Sequence, residues 1–262
     1  MLRADSVSFR YGADATAVVD DVTLEIPRGG LVGILGPNGS GKTTLLRLLS
    51  GTRQPRTGTV TLDGQPLRRL PRRDIARRVA VVPQETTLAF EYTVLEIVLM
   101  GRHPHLGLFE VEGPADYAMA REALAATGTA HLEGRAFHTL SGGEKQRVVI
   151  AAGLAQASDV LLLDEPTASL DLGYQLDVAT LLTTLNRDRG VTMAVSTHDL
   201  NLAASICSSL VLMRDGRVLA AGPTLDVLTP AHVRALYDVE ASVRVDAASG
   251  HALVVPVRRV RP

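Results

Sequence analysis

The chain has 262 residues, 46% of them hydrophobic, and a formal net charge of −1. That length and apolar content support a substantial packed core, as one large domain or two small ones. The near-zero charge gives no global attraction to nucleic acid, and the single Cys207 excludes an internal disulfide and suits a reducing compartment.

The opening residues Met1 to Asp5 carry no apolar signal-like core, and no run of 18 uninterrupted apolar residues occurs. The closest stretch, Val148 to Leu163, is broken by Gln156, Ser158 and Asp159. It reads as a core helix, a turn and a strand. If the protein works at a membrane, another chain is expected to cross it.

Residues 1 to 30 alternate, as in Val19-Asp20-Asp21-Val22-Thr23-Leu24-Glu25-Ile26, which predicts half-exposed antiparallel strands. Gly29-Gly30 then turns the chain into an apolar run, Leu31 to Leu35. Next comes Gly36-Pro37-Asn38-Gly39-Ser40-Gly41-Lys42-Thr43, followed by a helical pattern from Thr44 to Leu49. The stretch matches G-x-x-x-x-G-K-[ST], in the strand–loop–helix setting that the motif needs. Glycines let backbone N–H groups turn inward as a nest for anionic oxygens, and the positive end of the helix points at the same place. Lys42 would reach the β and γ phosphates of a nucleotide, and the Thr43 hydroxyl would hold Mg²⁺. Only two lysines stand against 25 arginines. A compact ammonium serves here as a point charge where a forked guanidinium would not.

Gly58 to Gly64 predicts another edge strand with a turn. Arg68, Arg69, Arg72, Arg73, Arg77 and Arg78 form a basic cluster. Asp74 interrupts it and no aromatics interleave, so it reads as the solvated face of a short helix rather than a nucleic-acid or lipid site. Residues 86 to about 150 read as mostly helical. Within them Leu140-Ser141-Gly142-Gly143-Glu144-Lys145-Gln146-Arg147 predicts a Ser N-cap and a second exposed helix start. One triphosphate does not need two such helix ends from a single chain, and the economical solution is a dimer. His103 and His105 lack a third ligand and read as surface residues.

Val160 to Leu163 reads as a strand buried on both faces, tipped by Asp164-Glu165. An acidic pair there would be costly without a cation. We assign Asp164 to Mg²⁺ through water and Glu165 to the attacking water as general base. A helix at 173–186 and a strand at 191–195 continue a parallel α/β pattern. Val211 to Met213 and Arg217 to Ala220 predict a hairpin across Asp215-Gly216. Residues 241–262 predict a short β appendage that turns at Ser249-Gly250.

Leu140 to Gln146 resembles the signature motif of ATP-binding-cassette (ABC) proteins. The order of phosphate loop, signature and Asp164-Glu165 is theirs as well, and the resemblance covers roughly residues 1 to 235. It implies an α/β fold: a P-loop (RecA-like) nucleotide-binding core, an N-terminal antiparallel β subdomain and an inserted helical subdomain. The expected division is 1–85 with 155–240 for the core and β subdomain, and about 86–154 for the helical subdomain. The ligands implied are ATP and Mg²⁺, with Gly36, Pro37, Asn38, Gly39, Ser40, Gly41, Lys42, Thr43 and Thr44 on one triphosphate. Ser141, Gly142 and Gly143 would complete the partner's site. Tyr11 looks like the aromatic that stacks on adenine, and Gln84 like the glutamine that contacts Mg²⁺ and links the site to a membrane partner. Asp171, in Ser169-Leu170-Asp171, resembles the loop that crosses the dimer interface. His198 resembles the switch histidine at the γ-phosphate. Taken singly, Tyr11, Gln84 and His198 read better as core or surface residues; their joint order and spacing reverse that.

Residues 93–105 are similar to the corresponding segment in ATPases of importers for iron-siderophore complexes, haem and vitamin B12. The implied partners are a second copy, integral membrane permease subunits and, indirectly, a periplasmic or lipid-anchored substrate-binding protein, with no nucleic acid. The implied place is the cytoplasmic side of the bacterial inner membrane. Leu88, Phe90, Tyr92 and Val94 are the expected groove for a short permease helix. Exporter ATPases, or soluble ABC ATPases acting on ribosomes or DNA, remain as alternatives.

Overall fold

The computed structural model describes residues 1–12, 15–84, 86 and 90–260. The first elements are β1 (Leu2–Phe9), β2 (Val19–Ile26), β3 (Leu31–Leu35), α1 (Lys42–Leu49), β4 (Thr57–Leu62) and β5 (Gln65–Pro66). Next are α2 (Arg72–Arg78), β6 (Val79–Val82), α3 (Val94–Met100), α4 (Pro114–Ala126), α5 (Gly142–Ala155), β7 (Val160–Asp164) and α6 (Leu172–Arg189). The chain closes with β8 (Thr192–Thr197), α7 (Leu200–Ile206), β9 (Ser209–Arg214), β10 (Arg217–Pro223), α8 (Thr224–Val227), α9 (Pro230–Tyr237), β11 (Val239–Val245) and β12 (Ala252–Arg259). Two compact units result: Met1–Leu70 with Thr192–Pro262, and Pro71–Val191.

In the first unit, β2, β1, β4 and β5 form an antiparallel sheet in that order. Val22, Leu24 and Ile26 alternate inward as the pattern predicts. The three-residue step from Val19 to Val22 coincides with a register shift, and Asp21 there has φ 51°. One extra residue is thus absorbed as a bulge, which keeps both valines on the buried face. β3 pairs in parallel with β8 on one side and β9 on the other, and β10 closes on β9 as the expected antiparallel hairpin. All five residues of β3 are buried, which is why its sequence is a continuous apolar run and not an alternating one. Each fully buried Leu, Ile or Val contributes about 1.5–3 kcal/mol relative to exposure.

The C-terminal appendage forms as a hairpin of β11 and β12. Ala252 and Val254 bury one of its faces. The Asn201 side chain fixes it by donating to the Val254 carbonyl at 3.1 Å and accepting from the Val254 N–H at 2.8 Å.

In the second unit, β6 and β7 pair in parallel, with Val82 opposite Leu163. Helices α3, α4 and α5 share a core that includes Val98, Leu124, Phe137 and Val148. Thr93 and Glu96 cap α3 reciprocally. The buried Arg102 guanidinium donates to Asp116 at 2.9 Å and to the Ala155 carbonyl, at the end of α5, at 2.7 Å. Helix is less continuous than residues 86–150 suggest. Gly128, at φ 69°, follows the end of α4, and short 3₁₀ turns at Ala130–Leu132 and Phe137–Thr139 lead to α5.

The basic cluster is not a purely solvated face. The Nε groups of Arg73 and Arg77 both donate to the Pro104 carbonyl at 2.8 Å, so α2 holds the 103–105 turn. His105 is also engaged, with Nε2 2.8 Å from the Gln156 carbonyl. Among the described residues no helix is long and apolar enough to cross a membrane.

Candidate active site

In the first unit the buried strand β3 delivers Gly36, and the loop closes on α1. The turn depends on glycine at two positions. A Cβ at Gly36 would lie 2.2 Å from the Met213 carbonyl oxygen, and one at Gly41, with φ 101°, would lie 2.4 Å from that of Val18. No L side chain fits either place without moving backbone. Gly41 is also the N-cap of α1, and no side chain caps that helix. A glycine brings no side chain to this helix start, which suits it to an anion.

Lys42 is 5% exposed. Its Nζ donates to the carbonyls of Gly36 at 2.8 Å and Pro37 at 3.2 Å, which folds the ammonium back over the loop. Among the described residues Ser40 Oγ is buried without a hydrogen-bond partner. A buried orphan hydroxyl costs about 1–3 kcal/mol, which an anionic oxygen in the loop would offset. Thr43 is half-buried, Asn38 and Gly39 are exposed, and Thr44 is buried. Thr44 Oγ1 lies 3.1 Å from the Tyr11 hydroxyl.

His198 follows β8, whose Thr197 is registered opposite Leu35 of β3. His198 and the Gly36–Thr43 loop thus leave the same ends of adjacent parallel strands. Ligands of open α/β sheets bind at such strand ends. The His198 side chain is exposed, and its carbonyl accepts from the Tyr237 hydroxyl at 3.0 Å. Asp199, next in sequence, caps α7 through the N–H groups of Asn201 and Leu202. The first unit thus gathers Tyr11, residues 36–44 and His198.

The second unit carries the remaining residues. Gln84 follows β6 and is exposed; Asp164 ends β7 and is buried. Both leave the C-terminal ends of paired parallel strands. Glu165 has φ 46°. Left-handed backbone at a non-glycine residue stores strain, and such strain concentrates at functional sites.

Ser141 caps α5. Its Oγ accepts from the Glu144 N–H at 3.3 Å, and Glu144 accepts from the Ser141 N–H at 2.8 Å. That backbone N–H first, and the Ser141 hydroxyl second, hold the Glu144 carboxyl below its usual range. Gly143 has no room for a side chain, because a Cβ would lie 2.3 Å from the Tyr174 ring. Asp171 caps α6 by accepting from the Tyr174 N–H at 3.1 Å. Leu172 and Leu176, one turn apart beside it, are both exposed.

Of the expected groove residues, Leu88 lies outside the described residues. Phe90 is 74% exposed and meets Tyr92 edge to face, with ring centroids 6.4 Å apart. Val94 is wholly buried in the helical core and lines no groove. Among the described residues no cluster of three or more His, Cys, Asp and Glu side chains could hold a metal ion. Sequence reasoning missed Arg47, whose Nη1 donates to the Tyr11 hydroxyl at 3.1 Å. No local pattern signals a contact across 36 positions.

Residues 19–168 match the family model described as ABC transporter. The chain is 46% identical over 244 residues to the cobalamin import ATP-binding protein BtuD of Halobacterium salinarum, covering 92% of this chain and 60% of that protein. The chain thus spans less than two thirds of that relative's length. It is 39% identical to the ferric enterobactin transport ATP-binding protein FepC of Escherichia coli K12, over all of this chain and 96% of FepC. It is 43% identical to the hemin import ATP-binding protein HmuV of Gloeobacter violaceus, covering 98% and 94%. Among solved structures it superposes, at TM-score 0.85 and 31% identity, on a chain assigned to the metal-chelate type of ABC transporter in an inward-facing conformation. That match covers 98% of this chain and 97% of the other. A dimeric bacterial ABC transporter cassette, MJ0796, matches at TM-score 0.74 and 28% identity, covering 86% and 99%.

Proposed function

Because the chain belongs to the ABC transporter family, we propose that it binds and hydrolyses ATP to energise a membrane importer. One observation carries the reading: a glycine-cramped loop in which Lys42 is buried, Ser40 Oγ has no partner and α1 has no cap. A triphosphate would meet the Ser40 hydroxyl and take charge from the Lys42 ammonium, which meanwhile donates to its own loop. Residues Gly36 to Thr44 bind the phosphates, and Tyr11 stacks on the base. Mg²⁺ falls to Thr43, Gln84 and Asp164. Oxygen donors with a single carboxylate suit an ion that keeps several waters and binds substrate phosphates. Bound there, it would neutralise charge on the β and γ oxygens. Glu165 takes a proton from the attacking water, and His198 contacts the γ-phosphate.

The assembly in this reading is a pair of copies. Lys42 of one holds each ATP, and Ser141, Gly142 and Gly143 of the other complete the pocket. Asp171 sits where the copies meet, and the exposed Leu172 and Leu176 beside it support such a contact. Residues 1–85 and 155–240 form the core and β subdomain, 86–154 the helical subdomain, and 241–262 an appendage. ATP closes the pair and hydrolysis releases it, a population shift driven by γ-phosphate contacts. The motion passes to integral permease subunits. The protein is peripheral, on the cytoplasmic side of the bacterial cell membrane, and a substrate-binding protein delivers the cargo outside. The relatives' names support a cargo in the class of iron-siderophore complexes, haem or vitamin B12.

The test is Glu165→Gln. It keeps ATP binding and ATP-dependent pairing, while turnover falls about 100-fold or more, as expected for loss of a general base. Turnover at the unsubstituted rate would remove Glu165 from the mechanism.

A further inference from the structure

Tyr11 is a mobile type of anchor. A tyrosine on a loop loses side-chain freedom when a ligand fixes its ring, and that cost weakens binding. Here the ring is already fixed. Its hydroxyl is 3.1 Å from Thr44 Oγ1 and accepts from Arg47 Nη1 at 3.1 Å. Phe9 meets the ring edge to face, with centroids 5.1 Å apart. Just beyond, Arg56 Nη2 donates to the Gly12 carbonyl at 3.3 Å, and the Arg56 N–H donates to the Ser8 carbonyl at 2.8 Å. The ring is nonetheless 52% exposed. Its polar end is tied down while much of the ring stays open.

Thr44 and Arg47 lie three residues apart on α1, so both point from one side of the helix. This is the helix whose start forms the phosphate loop. The Tyr11 hydroxyl titrates below its usual range. The Thr44 hydrogen bond is the main cause, burial opposes it, and the hydrogen bond and charge of Arg47 add to it.

We propose that Arg47 is a positioning residue for the nucleotide base, acting through the Tyr11 hydroxyl to hold the ring ready for stacking. The inference rests on the reading that Tyr11 stacks on adenine. α1 then does two jobs: its first turn meets the phosphates, and its last turn orients the aromatic that meets the base. Arg47 touches neither reacting atoms nor phosphate.

The experiment compares ATP with inorganic tripolyphosphate, which has the phosphates and no base. Both are titrated against the full chain and against Arg47→Met, Tyr11→Phe and the double variant. Arg47 is exposed, so the fold is retained, and a thermal melt checks it. Arg47→Met should weaken ATP about fivefold, the scale of one hydrogen bond. Tripolyphosphate binding should change by less than about twofold. Tyr11→Phe, which removes the Thr44 contact as well, should weaken ATP at least as much as Arg47→Met, and the double variant should be no weaker than Tyr11→Phe, because the Arg47 contact is lost in both. KM for ATP should rise with Kd.

Equal weakening of both ligands would make Arg47 a phosphate contact and overturn the proposal. Additive effects, or unchanged ATP affinity in Arg47→Met, overturn it as well. Tyr11→Ala separates the two levels. If it weakens ATP while Arg47→Met does not, stacking stands and the positioning role falls. If Tyr11→Ala leaves ATP affinity unchanged, the stacking reading itself fails.

Discussion

Helix α1 starts after Gly41, at φ 101°, an N-cap with no side chain to offer, whereas α5 starts after Ser141 with its cap closed in both directions by Glu144. Both starts are rich in glycine and both read from sequence as exposed helix ends. At α1 a glycine cap, a buried ammonium that donates to its own loop and an orphan hydroxyl lie together. A glycine N-cap gives up only a few tenths of a kcal/mol, roughly, against a side-chain cap, and an anion would offset it. In α5 the Ser141 and Glu144 N–H groups are already satisfied. That helix stands without a ligand and keeps only the backbone at Gly142 and Gly143 for a visitor. In the proposed two-copy pocket an incomplete nest and a finished cap divide the work: one half would wait for the triphosphate, and the other would be rigid before it arrives.

Lys42→Ala strikes the incomplete start and should have the largest effect. Removing a preorganised charge-assisted contact costs about 100-fold or more. Because the loss falls on phosphate, ATP and tripolyphosphate should weaken alike in equilibrium titrations. A change below about threefold in either ligand would mean that α1 does not wait for an anion.

Gly143→Ala strikes the finished start. The new methyl would meet Tyr174 Cδ1 at 2.3 Å and Cγ at 2.7 Å, so the ring at the first turn of α6 must move. Overpacking of this kind costs about 1–3 kcal/mol. The melting temperature should fall by roughly 2–4 °C per kcal/mol for a chain of this size class. An unchanged melt would show that α5 and α6 are loose at this point, contrary to a rigid second half.

The contrast between the two starts was only half legible in the sequence. The phosphate loop shows itself because its backbone tolerates glycine alone at Gly36 and Gly41, and its charge must be Lys42. β3 and β7 show themselves as unbroken apolar runs because both faces are buried. The Ser141 cap is legible as Ser followed three residues later by Glu. What was hidden is set by tertiary contact. Arg73 and Arg77 look like solvated charge, yet they bond a carbonyl 27 to 31 positions away. Arg47 reaches Tyr11 only after β1 and α1 are packed. The left-handed backbone at Glu165 has no glycine to announce it. Val94 looks like a groove residue by composition and is core because of the face of α3 on which it falls.

The smallest effect probes the α5 cap itself. Ser141→Ala removes the acceptor for the Glu144 N–H and should cost about 1 kcal/mol near neutral pH. The other arm of the cap is the Glu144 carboxylate, held below its usual pKa chiefly by the Ser141 N–H. A carboxyl lowered by folding stabilises the native state fully above its unfolded pKa, and that stability is lost as pH falls through the lowered value. The Ser141 N–H survives Ser141→Ala, so in urea unfolding the gap to the unsubstituted chain should narrow in acid only by the smaller share that the Ser141 hydroxyl adds to the Glu144 carboxylate. A gap that stays constant in acid would place the cap energy in the Ser141 hydroxyl alone. The two arms would then be independent, and α5 would need no carboxylate to keep its first turn in place.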